Sequence, residues 1–424
     1  MIKRDYYLDK IIERMWDGNI KVITGIRRCG KSTMLFTIFK EYLISNNVKE
    51  ENIIEIALDK RKYYKFRNPI YLCSYVENII NNNKNKRYYL FIDEVQLTIK
   101  VKDKESNVEI SIYDMLNELK GYSNLDCYVT GSNSKMLSSD IQTEFRGRSS
   151  QIRIYPLSFK EIYSYKGGVM NDILDEYIIF GGMPGLINEK NEESKKTYLI
   201  NLFNEIYIKD LLEHGKIQRQ DVIEKLLDYL ASSVGSLTNI NKLTSIINNQ
   251  SSIKISDDTI SKYINQLCNS FLISEAKRYD IKGKRYFDYP NKYYYLDIGL
   301  RNARINYRQL ELGHIVENII YIELLRRGYI VDVGVIEDRR NNTNKQKEID
   351  FIVKNFDKKL YIQSSIKLLD EAKRNSEVDS LRLTKDFFKK VLIRDDILTS
   401  FYDEDGIYNC KLTDFLLDKV DLFN

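Results

Sequence analysis

A short stretch near the N-terminus combines glycines, a lysine and hydroxyl side chains at a spacing that suits phosphate binding. Residues 25–33 read GIRRCGKST, which matches the pattern G-x-x-x-x-G-K-[ST]. Glycine lets backbone N–H groups approach phosphate oxygens, the lysine can reach the β- and γ-phosphates, and a hydroxyl can ligate Mg²⁺. Lys31 is expected to contribute to catalysis, and Ser32 to hold the metal. The predicted nucleotide-binding residues are those of the whole stretch: Gly25, Ile26, Arg27, Arg28, Cys29, Gly30, Lys31, Ser32 and Thr33.

The residues around this loop predict a strand before it and a helix after it. KVIT at 21–24 is β-prone, and TMLFTIFKEYL at 33–43 has apolar residues at helical spacing. A strand, a glycine-containing loop and a helix form the context in which this motif binds phosphate, because the helix N-terminus adds partial positive charge. An ordinary glycine turn is the alternative interpretation.

A second element of the same chemistry follows in RYYLFIDEVQ at residues 87–96. The apolar run Tyr89 to Ile92 predicts a buried strand, and Asp93 stands at its carboxyl end, where α/β sheets bind ligands. Asp93 is expected to hold Mg²⁺, and Glu94 to act as the general base that polarises water. An acidic pair after an apolar run is common, so this prediction depends on its occurrence together with the loop.

Two further groups of polar residues could sense or stabilise the γ-phosphate. LDCYVTGSNS reads as another strand, and Ser132 and Asn133 at its end are sensor candidates, with a plain strand-to-loop turn as the alternative. FRGRSSQIRIYPLSF places Arg146 and Arg148 in a loop, where an arginine given to a neighbouring subunit could stabilise transition-state charge. Local pairing or solvation explains the two arginines equally well.

These motifs together resemble a known family. GIRRCGKST, YYLFIDEVQ, YVTGSNSKML, FRGRSSQIRIYPLSF and YIIFGGMPGL are similar to the prokaryotic AAA-type ATPases of the AAA+ superfamily that carry a C-terminal DUF4143 region. The resemblance runs through most of the chain and is most specific between residues 129 and 185. It implies a fold of the α/β class: a P-loop NTPase core with a parallel sheet, a winged-helix segment, and a degenerate restriction-endonuclease-like domain. The family's physiological role is poorly defined, so the resemblance implies an ATPase but does not indicate its biological role.

The middle of the chain predicts a winged helix from its own residues. Three helical patterns between residues 222 and 270 precede FLISEAKRY and KRYFDYPNKYYYLD, which read as the two strands of a hairpin. The stretch 276–292 carries six basic residues against two acidic ones and would form the wing, which could follow a DNA backbone. Asp257 and Asp258 at the start of the third helix would repel phosphates, so a packing module is the alternative.

The C-terminal segment has part of the layout of the PD-(D/E)XK nucleases. Glu317 lies in an amphipathic helical pattern, Asp350 in a β-rich one, and Gln363 stands where a third acidic residue is expected. Carboxylates in this layout hold a metal ion that activates water for phosphodiester hydrolysis. Gln363 brings no charge, and Ser365 cannot replace the lysine of the motif. This degenerate nuclease-like site therefore favours a binding or scaffolding domain over an active nuclease.

Composition and charge limit what the protein can be. Of its 424 residues, 43% are hydrophobic and 30% charged, as in a globular protein with real cores. No apolar run approaches the ~18 residues of a membrane helix, and the N-terminus lacks a signal-peptide pattern, so we expect a cytoplasmic protein without a membrane partner. The five cysteines lie far apart and are expected to be reduced thiols. A net charge of +5 does not by itself indicate nucleic acid.

The sequence as a whole predicts an ATP-hydrolysing protein of four domains. Residues 1–165 are expected to form the AAA-type core, 166–220 a helical lid or connector, 221–305 the winged helix and 306–424 the nuclease-like domain. Hydrolysis would be coupled to DNA through the 276–292 wing, or to a protein partner, in a homo-oligomer. The alternatives are a nucleotide-dependent switch or adaptor with little turnover, and an ATP-driven nuclease.

Overall fold

A computed structural model describes most of the chain, which divides into two compact units. The described residues are 2–102, 107–131, 149–208, 212, 219–249, 254–286, 290–308, 310–338, 345–366 and 371–423. The first unit comprises residues 1–156 with 269–271, and the second comprises residues 157–268 with 272–424. Among the described residues, no helix combines the length and the apolar character needed to cross a membrane.

The first unit is built on a parallel five-stranded sheet. Its strands in the described part of the chain are β1 Ile20–Thr24, β2 Ile53–Ala57, β3 Tyr88–Asp93, β6 Leu125–Gly131 and β7 Ser149–Arg153, while β4 Val101–Lys102 and β5 Glu109–Ile110 pair separately. The order across the sheet is β2, β3, β6, β1, β7. Every neighbouring pair is parallel, so all five carboxyl ends meet at one edge, where α/β sheets bind ligands.

Helices pack on both faces of this sheet, and two of them have clear start signals. The described helices of the first unit are α1 Asp5–Ile12, α2 Lys31–Thr33, α3 Lys40–Ser45, α4 Pro69–Asn81 and α5 Ile112–Leu119. The Asn68 side chain accepts hydrogen bonds from the first turn of α4, and Ser111 and Asp114 form a capping box at α5. Apolar residues of α4 and α5 share one core with alternate residues of β1, β3 and β6.

The helix that follows GIRRCGKST is continuous but not uniform. A π-helix at Met34–Phe39 joins α2 directly to α3, so the helix expected from the apolar spacing contains a wider central turn. The ring of Phe39 lies 5.6 Å from that of Phe91 in β3 and 4.9 Å from that of Tyr128 in β6, measured between centroids. These contacts fasten the helix to the sheet, and the loop is thereby held between two rigid elements.

A buried ion pair joins two central strands of the first unit. Lys21 in β1 is fully buried, and its ammonium contacts the carboxylate of Asp126 in β6 and lies 2.9 Å from that of Asp17. Asp126 also accepts hydrogen bonds from the Trp16 backbone N–H at 3.0 Å and the Tyr128 hydroxyl at 2.7 Å. A charge buried in this way is tolerated because its partners compensate it.

The second unit contains an eight-stranded mixed sheet and a three-stranded antiparallel sheet. The strands of the larger sheet are β10 Arg278–Asp280, β11 Arg285–Tyr286, β13 Ile330–Asp338, β14 Lys345–Asn355, β15 Lys358–Ser365, β16 Lys389–Arg394, β17 Phe401–Tyr402 and β18 Tyr408–Lys411. Their order in the described residues is β11, β10, β13, β14, β15, β16, β18, β17. The smaller sheet consists of β8 Leu237–Thr238, β12 Asn291–Tyr295 and β9 Ile273–Ala276, in that order.

The described helices of the second unit follow the expected succession in the middle of the chain. They are α6 Phe159–Lys166, α7 Met170–Phe180, α8 Glu192–Asn201, α9 Gln220–Ser232, α10 Ile240–Asn249, α11 Asp257–Asn269, α12 Ile298–Arg304, α13 Leu312–Arg326, α14 Glu371–Arg382 and α15 Leu412–Leu416, with a π-helix at Leu202–Ile208. Helix α11 buries the apolar face that its spacing predicts, and Asp257 and Asp258 are exposed at its start. Carboxylates there oppose an approach of this helix end to phosphates.

The basic stretch 276–292 does not form one continuous wing, contrary to the sequence-based expectation. Strands β10 and β11 belong to the eight-stranded sheet, whereas β12 belongs to the three-stranded one. Lys292 and Arg278 are buried, at 3% and 8% exposure, and are removed from any docking surface. Tyr293 to Tyr295 are buried as well, so they pack in the core and are not a platform for bases. The prediction failed because charge counted along the sequence does not record which side chains point inward.

Replacing Lys21 by Met should destabilise the first unit by about 3–5 kcal/mol, because Asp126 would keep a buried charge without its ammonium partner. Trp16, the one tryptophan of the chain, donates its backbone N–H to Asp126, so urea unfolding followed by tryptophan fluorescence reports on this region. Lys100→Met removes an exposed pair and should change the unfolding midpoint little. Equal midpoints for the two variants would contradict the assignment.

Candidate functional site

The glycines of GIRRCGKST occupy positions that other residues could not take. Gly25 has a φ of +147°, and a Cβ atom there would lie 2.1 Å from the carbonyl oxygen of Ile154. Gly30 has a φ of +98° and directly precedes α2. Only glycine adopts both conformations without strain, so the spacing of the motif is enforced by the backbone.

The side chain of Lys31 is turned back into its own loop. Its ammonium donates hydrogen bonds to the carbonyl oxygens of Gly25 at 3.1 Å and Ile26 at 3.2 Å, and the residue is 3% exposed. Arg27, Arg28 and Thr33 are exposed. A concave backbone loop with an internal ammonium at a helix start is a site for anions.

Arg4 supports this loop from outside the motif, and sequence reasoning missed it. Its guanidinium donates to the carbonyl oxygen of Cys29 at 2.9 Å and to that of Tyr155 at 2.8 Å. The same group lies 4.5 Å from the centroid of the Tyr7 ring, and the Tyr7 hydroxyl accepts the Tyr155 N–H at 3.2 Å. No local pattern marks Arg4, because its partners are 25 and 151 residues away.

Cys29 closes the underside of the loop. Its free thiol is buried and donates to the carbonyl oxygen of Ile154 at 3.5 Å. Burial raises the pKa of this thiol above its ordinary value, against the opposing effect of Lys31 and Arg4. A protonated, buried thiol packs as a small apolar group, so Cys29 contributes packing beneath the loop.

Two hydroxyls and a carboxylate meet at the edge of the sheet. The Ser32 hydroxyl donates to Asp93 Oδ1 at 3.0 Å, and the Thr130 hydroxyl donates to the same oxygen. The Glu94 backbone N–H donates to Thr130 Oγ1 at 3.1 Å. Burial raises the pKa of Asp93, hydrogen bonds from Thr130 and Ser32 oppose this, and the charge of Glu94 adds to it. The loop, β6 and β3 are thus joined through one buried carboxyl group.

Glu94 stands beside this group in an unusual backbone conformation. Its φ of 53° and ψ of 51° place it in the left-handed region, which non-glycine residues rarely adopt. Its carboxylate accepts a hydrogen bond from the amide of Gln96. Backbone strain of this kind concentrates at functional positions.

The sequence-predicted residues of this region meet only in part. Lys31 and Ser32 lie on the loop, and Ser32, Asp93 and Glu94 are linked through Thr130, which sequence reasoning overlooked. The signal for Thr130 was a hydroxyl residue inside the apolar strand LDCYVTG. This strand, β6, lies between β1, which leads into the loop, and β3, which ends at Asp93. The sensor candidates Ser132 and Asn133, and the arginines Arg146 and Arg148, lie outside the described residues.

The donor set of this region fits Mg²⁺ with a nucleoside triphosphate. Mg²⁺ prefers oxygen ligands and is held by one or two protein groups together with substrate phosphates, which Asp93 and Ser32 can provide. The ammonium of Lys31 and the N–H groups of the loop match phosphate oxygens. Among the described residues, no group of three or more His, Cys, Asp or Glu side chains is arranged to hold a metal alone.

A second polar cluster lies in the other unit, around Glu317 of α13. The residues of the degenerate nuclease-like site come together there. The Gln363 amide donates to Asp350 Oδ1 at 3.1 Å, and Ser364 donates its backbone N–H and its hydroxyl to Asp350 Oδ2 at 2.8 and 2.6 Å. Glu317 accepts the Tyr294 hydroxyl at 2.6 Å. The cluster is buried, with Glu317 and Asp350 at 6% and 7% exposure.

Lys292 supplies this cluster with the lysine that position 365 lacks. Its ammonium lies 2.8 Å from Glu317 Oε1 and 2.6 Å from Glu348 Oε1. Burial alone would lower the pKa of Lys292, but the Glu317, Asp350 and Glu348 carboxylates raise it above its ordinary value. Burial likewise opposes ionisation of Glu317, yet Lys292 and His314 hold its pKa below the ordinary value. One ammonium therefore offsets part of the negative charge of this cluster.

Comparisons with known proteins define the class of this chain. Residues 17–163 match a family model described as an AAA domain, and residues 171–311 match one described as "Domain of unknown function (DUF8612)". Residues 17–163 thus match an AAA domain, which confirms the AAA-type part of the expected resemblance. The DUF4143 part is not supported, because the second model is a different domain.

The family follows from full-length relatives. The chain is 33% identical over 425 residues to an uncharacterized protein of Haemophilus influenzae, covering 98% of this chain and 99% of that protein, and it belongs to the same family. It is also 27% identical over 426 residues to the uncharacterized protein MJ1544 of Methanocaldococcus jannaschii, covering 93% of this chain and 89% of that one. The solved structure of AMPPCP-bound DnaA from Aquifex aeolicus matches at 17% identity, over 62% of this chain and 84% of that one, with a TM-score of 0.30. A score that low carries no argument.

Replacing Asp350 by Asn should flatten the dependence of stability on pH. Burial first, and then Glu317, raise the pKa of Asp350 to about 7 against the opposing effects of Lys292 and Ser364. A raised folded-state pKa favours the protonated carboxyl, so its stabilising contribution is complete below about pH 4 and is lost as pH rises through about 7. Melting temperatures between about pH 4 and 8 should therefore fall less in Asp350→Asn than in the wild type.

The slope, and not the absolute melting temperature, is the quantity to compare. His314, whose pKa its contact with Glu317 raises, titrates in both proteins and cancels in the difference. Asp357→Asn, at an exposed turn, is the control and should retain the wild-type slope. Parallel curves for Asp350→Asn and the wild type would show that Asp350 is ionised throughout this range.

Proposed function

We propose that this protein binds Mg·ATP and hydrolyses it at the site formed by the loop, Asp93, Glu94 and Thr130. The observation that carries the proposal is the meeting of Ser32 and Thr130 on one buried carboxylate, beside a glycine loop with an internal lysine. The match of residues 17–163 to an AAA domain supports it. An ordinary glycine turn would require neither contact.

The roles of the residues follow from their chemistry. When bound, Mg·ATP supplies the phosphoanhydride bond and a cation that offsets phosphate charge. Lys31 and the loop N–H groups bind and orient phosphate oxygens, while Ser32 and Asp93 hold the metal. Glu94 accepts the proton of the attacking water at its carboxylate, and Gln96 restrains that carboxylate. Arg4 keeps the loop in the conformation that places these groups.

The central experiment separates binding from turnover. Glu94→Gln removes the base but keeps the shape, so it should bind ATP and hydrolyse it at least about 100-fold more slowly, within the range of general-base catalysis. Lys31→Ala should lose tight ATP binding. Phosphate release and binding of a fluorescent ATP analogue measure the two steps, and Glu109→Gln, exposed and paired with Lys100, is the matched control. Unchanged turnover in Glu94→Gln would refute the assignment of Glu94 as the general base.

Replacing Thr130 by Val should lower turnover with little effect on ATP affinity. The substitution keeps the shape but deprives Asp93 and the Glu94 N–H of a hydrogen-bond partner, a loss of about 1.5–3 kcal/mol for a bond to a charged group, or roughly 10- to 100-fold in kcat. Thr244→Val, which alters another buried threonine in α10, should leave turnover unchanged. A rise in KM with constant kcat would place Thr130 in substrate binding.

Coupling to DNA or to a protein partner is the finer part of the proposal. Helices α9 to α11 with the sheet of β8, β12 and β9 have the element order of a winged helix, which supports that module. Lys277, Lys282, Lys284 and Arg285 remain exposed in the 276–292 stretch. A homo-oligomer in which Arg146 or Arg148 reaches a neighbour's site is proposed from the sequence. An active nuclease is not proposed, because Gln363 brings no charge to the position where a third acidic residue is expected.

A further inference from the structure

Basic and aromatic residues of three segments lie near one another on the eight-stranded sheet. Three segments contribute: residues 284–286 in the hairpin of β10 and β11, residues 354–359 in the hairpin of β14 and β15, and residues 385–388 before β16. We refer to these three segments as the basic-aromatic edge. They hold six basic residues and two acidic ones, so the edge carries much of the positive charge excess of the chain.

Direct contacts make the three segments one surface. Lys354 lies opposite Lys359 in the register of the β14–β15 hairpin. The ammonium of Lys354 lies 4.6 Å from the ring centroid of Tyr279 and 5.9 Å from that of Tyr286. The ammonium of Lys359 lies 4.0 Å from the ring centroid of Phe388. Burial lowers the pKa of Lys359, Asp386 opposes this, and the neighbouring Lys354 and Lys284 lower it further, as expected for cations from separate segments on one surface.

Two phenylalanines of this edge are displayed to solvent at a cost in stability. Phe356 and Phe387 are 101% and 108% exposed, relative to an extended reference. Burial of a phenylalanine ring stabilises a fold, and the chain forgoes this at both positions. Phe356 also adopts a φ of 52° at the hairpin turn, a conformation that is rare for bulky residues. The exposure of Phe356 and Phe387 and the strained backbone of Phe356 indicate that these rings contact a binding partner.

Charge and spacing select the partner. Lys354 and Lys359 pair with Asp332 and Asp386, whereas Lys284, Lys358 and Lys385 are exposed. A single strand of nucleic acid suits such a surface, since bases stack on aromatic side chains while lysines follow the phosphates. Neighbouring strands lie about 4.8 Å apart, so the turn that carries Phe356 and the segment that carries Phe387 are one to two strand spacings apart. The exposed rings are carried by separate segments, the β14–β15 turn and the residues before β16, and do not form the continuous apolar face of a membrane-binding element.

The geometry points to the basic-aromatic edge as a binding surface for single-stranded nucleic acid, with Phe356 and Phe387 stacking on bases and lysines of all three segments contacting the phosphate backbone. The inference goes beyond the proposed ATPase activity and does not depend on it. It also moves the expected DNA contact away from the 276–292 stretch as a whole, since two cations of that stretch are buried.

The test is fluorescence anisotropy of a labelled oligomer of about 20 thymidines, titrated with the full-length protein without ATP. The wild type should bind, and its affinity should fall steeply between about 50 and 200 mM KCl. Phe356→Ala with Phe387→Ala should weaken binding at least about tenfold at constant salt dependence. Lys358→Glu with Lys385→Glu should weaken binding and flatten the salt dependence.

Matched controls and competitors make the outcome decisive. Leu398→Ala is another exposed apolar residue, 90% exposed, and Lys190→Glu is another exposed lysine; both should bind as the wild type. Lys31→Ala should also bind normally, which separates this inference from the ATPase proposal. No binding at low salt, or equal binding by all variants, overturns the inference. Binding of duplex DNA that is unaffected by the two phenylalanine substitutions overturns the stacking role. Binding of phosphatidylserine vesicles that is weakened by the same substitutions overturns the inference and assigns the edge to a membrane.

Discussion

The first unit is organised around a carboxylate that burial makes costly. Asp93 is 6% exposed at the end of β3, and its raised pKa shows that hydroxyl hydrogen bonds do not fully offset the loss of water. Those hydroxyls come from α2 and β6, so the group exists only because β6 lies between β1 and β3. Thr130 reaches Asp93 because β6 is the neighbour of β3 in the sheet.

The two units treat buried charge differently, and this difference separates their chemistry. At Asp93 the hydrogen-bond donors are the neutral hydroxyls of Ser32 and Thr130, which leave the negative charge available to a cation. At Glu317 the partner is the ammonium of Lys292, which compensates the charge within the protein. A buried salt bridge such as Lys292 with Glu317 contributes little net stability, but removing only one of its partners is strongly destabilising. Buried carboxylates thus have neutral hydroxyl partners at Asp93 and an ammonium partner at Glu317.

Local patterns predicted the parts of the site that are continuous in sequence. The loop, the strand before it, the helix after it and the pair Asp93 and Glu94 can each be read from a few neighbouring residues, because glycine conformation and strand periodicity are local properties. Arg4 and Thr130 could not be found that way. Arg4 acts on Cys29 and Tyr155 across 25 and 151 residues, and Thr130 resembles any hydroxyl in a strand until its neighbours are known.

Charge was the property that sequence reasoning placed least well. The stretch 276–292 looked like one basic surface, but the fold sends Lys292 into the Glu317 cluster and Arg278 into the interior. Exposed cations from distant segments gather instead with Phe356 and Phe387 at another edge. The sequence by itself determined the nucleotide-type loop and its acidic partner, since these depend on backbone conformation and short-range spacing. Tertiary structure alone decided which charges are buried against one another, because burial and pairing depend on strand order and on contacts between residues far apart in the chain.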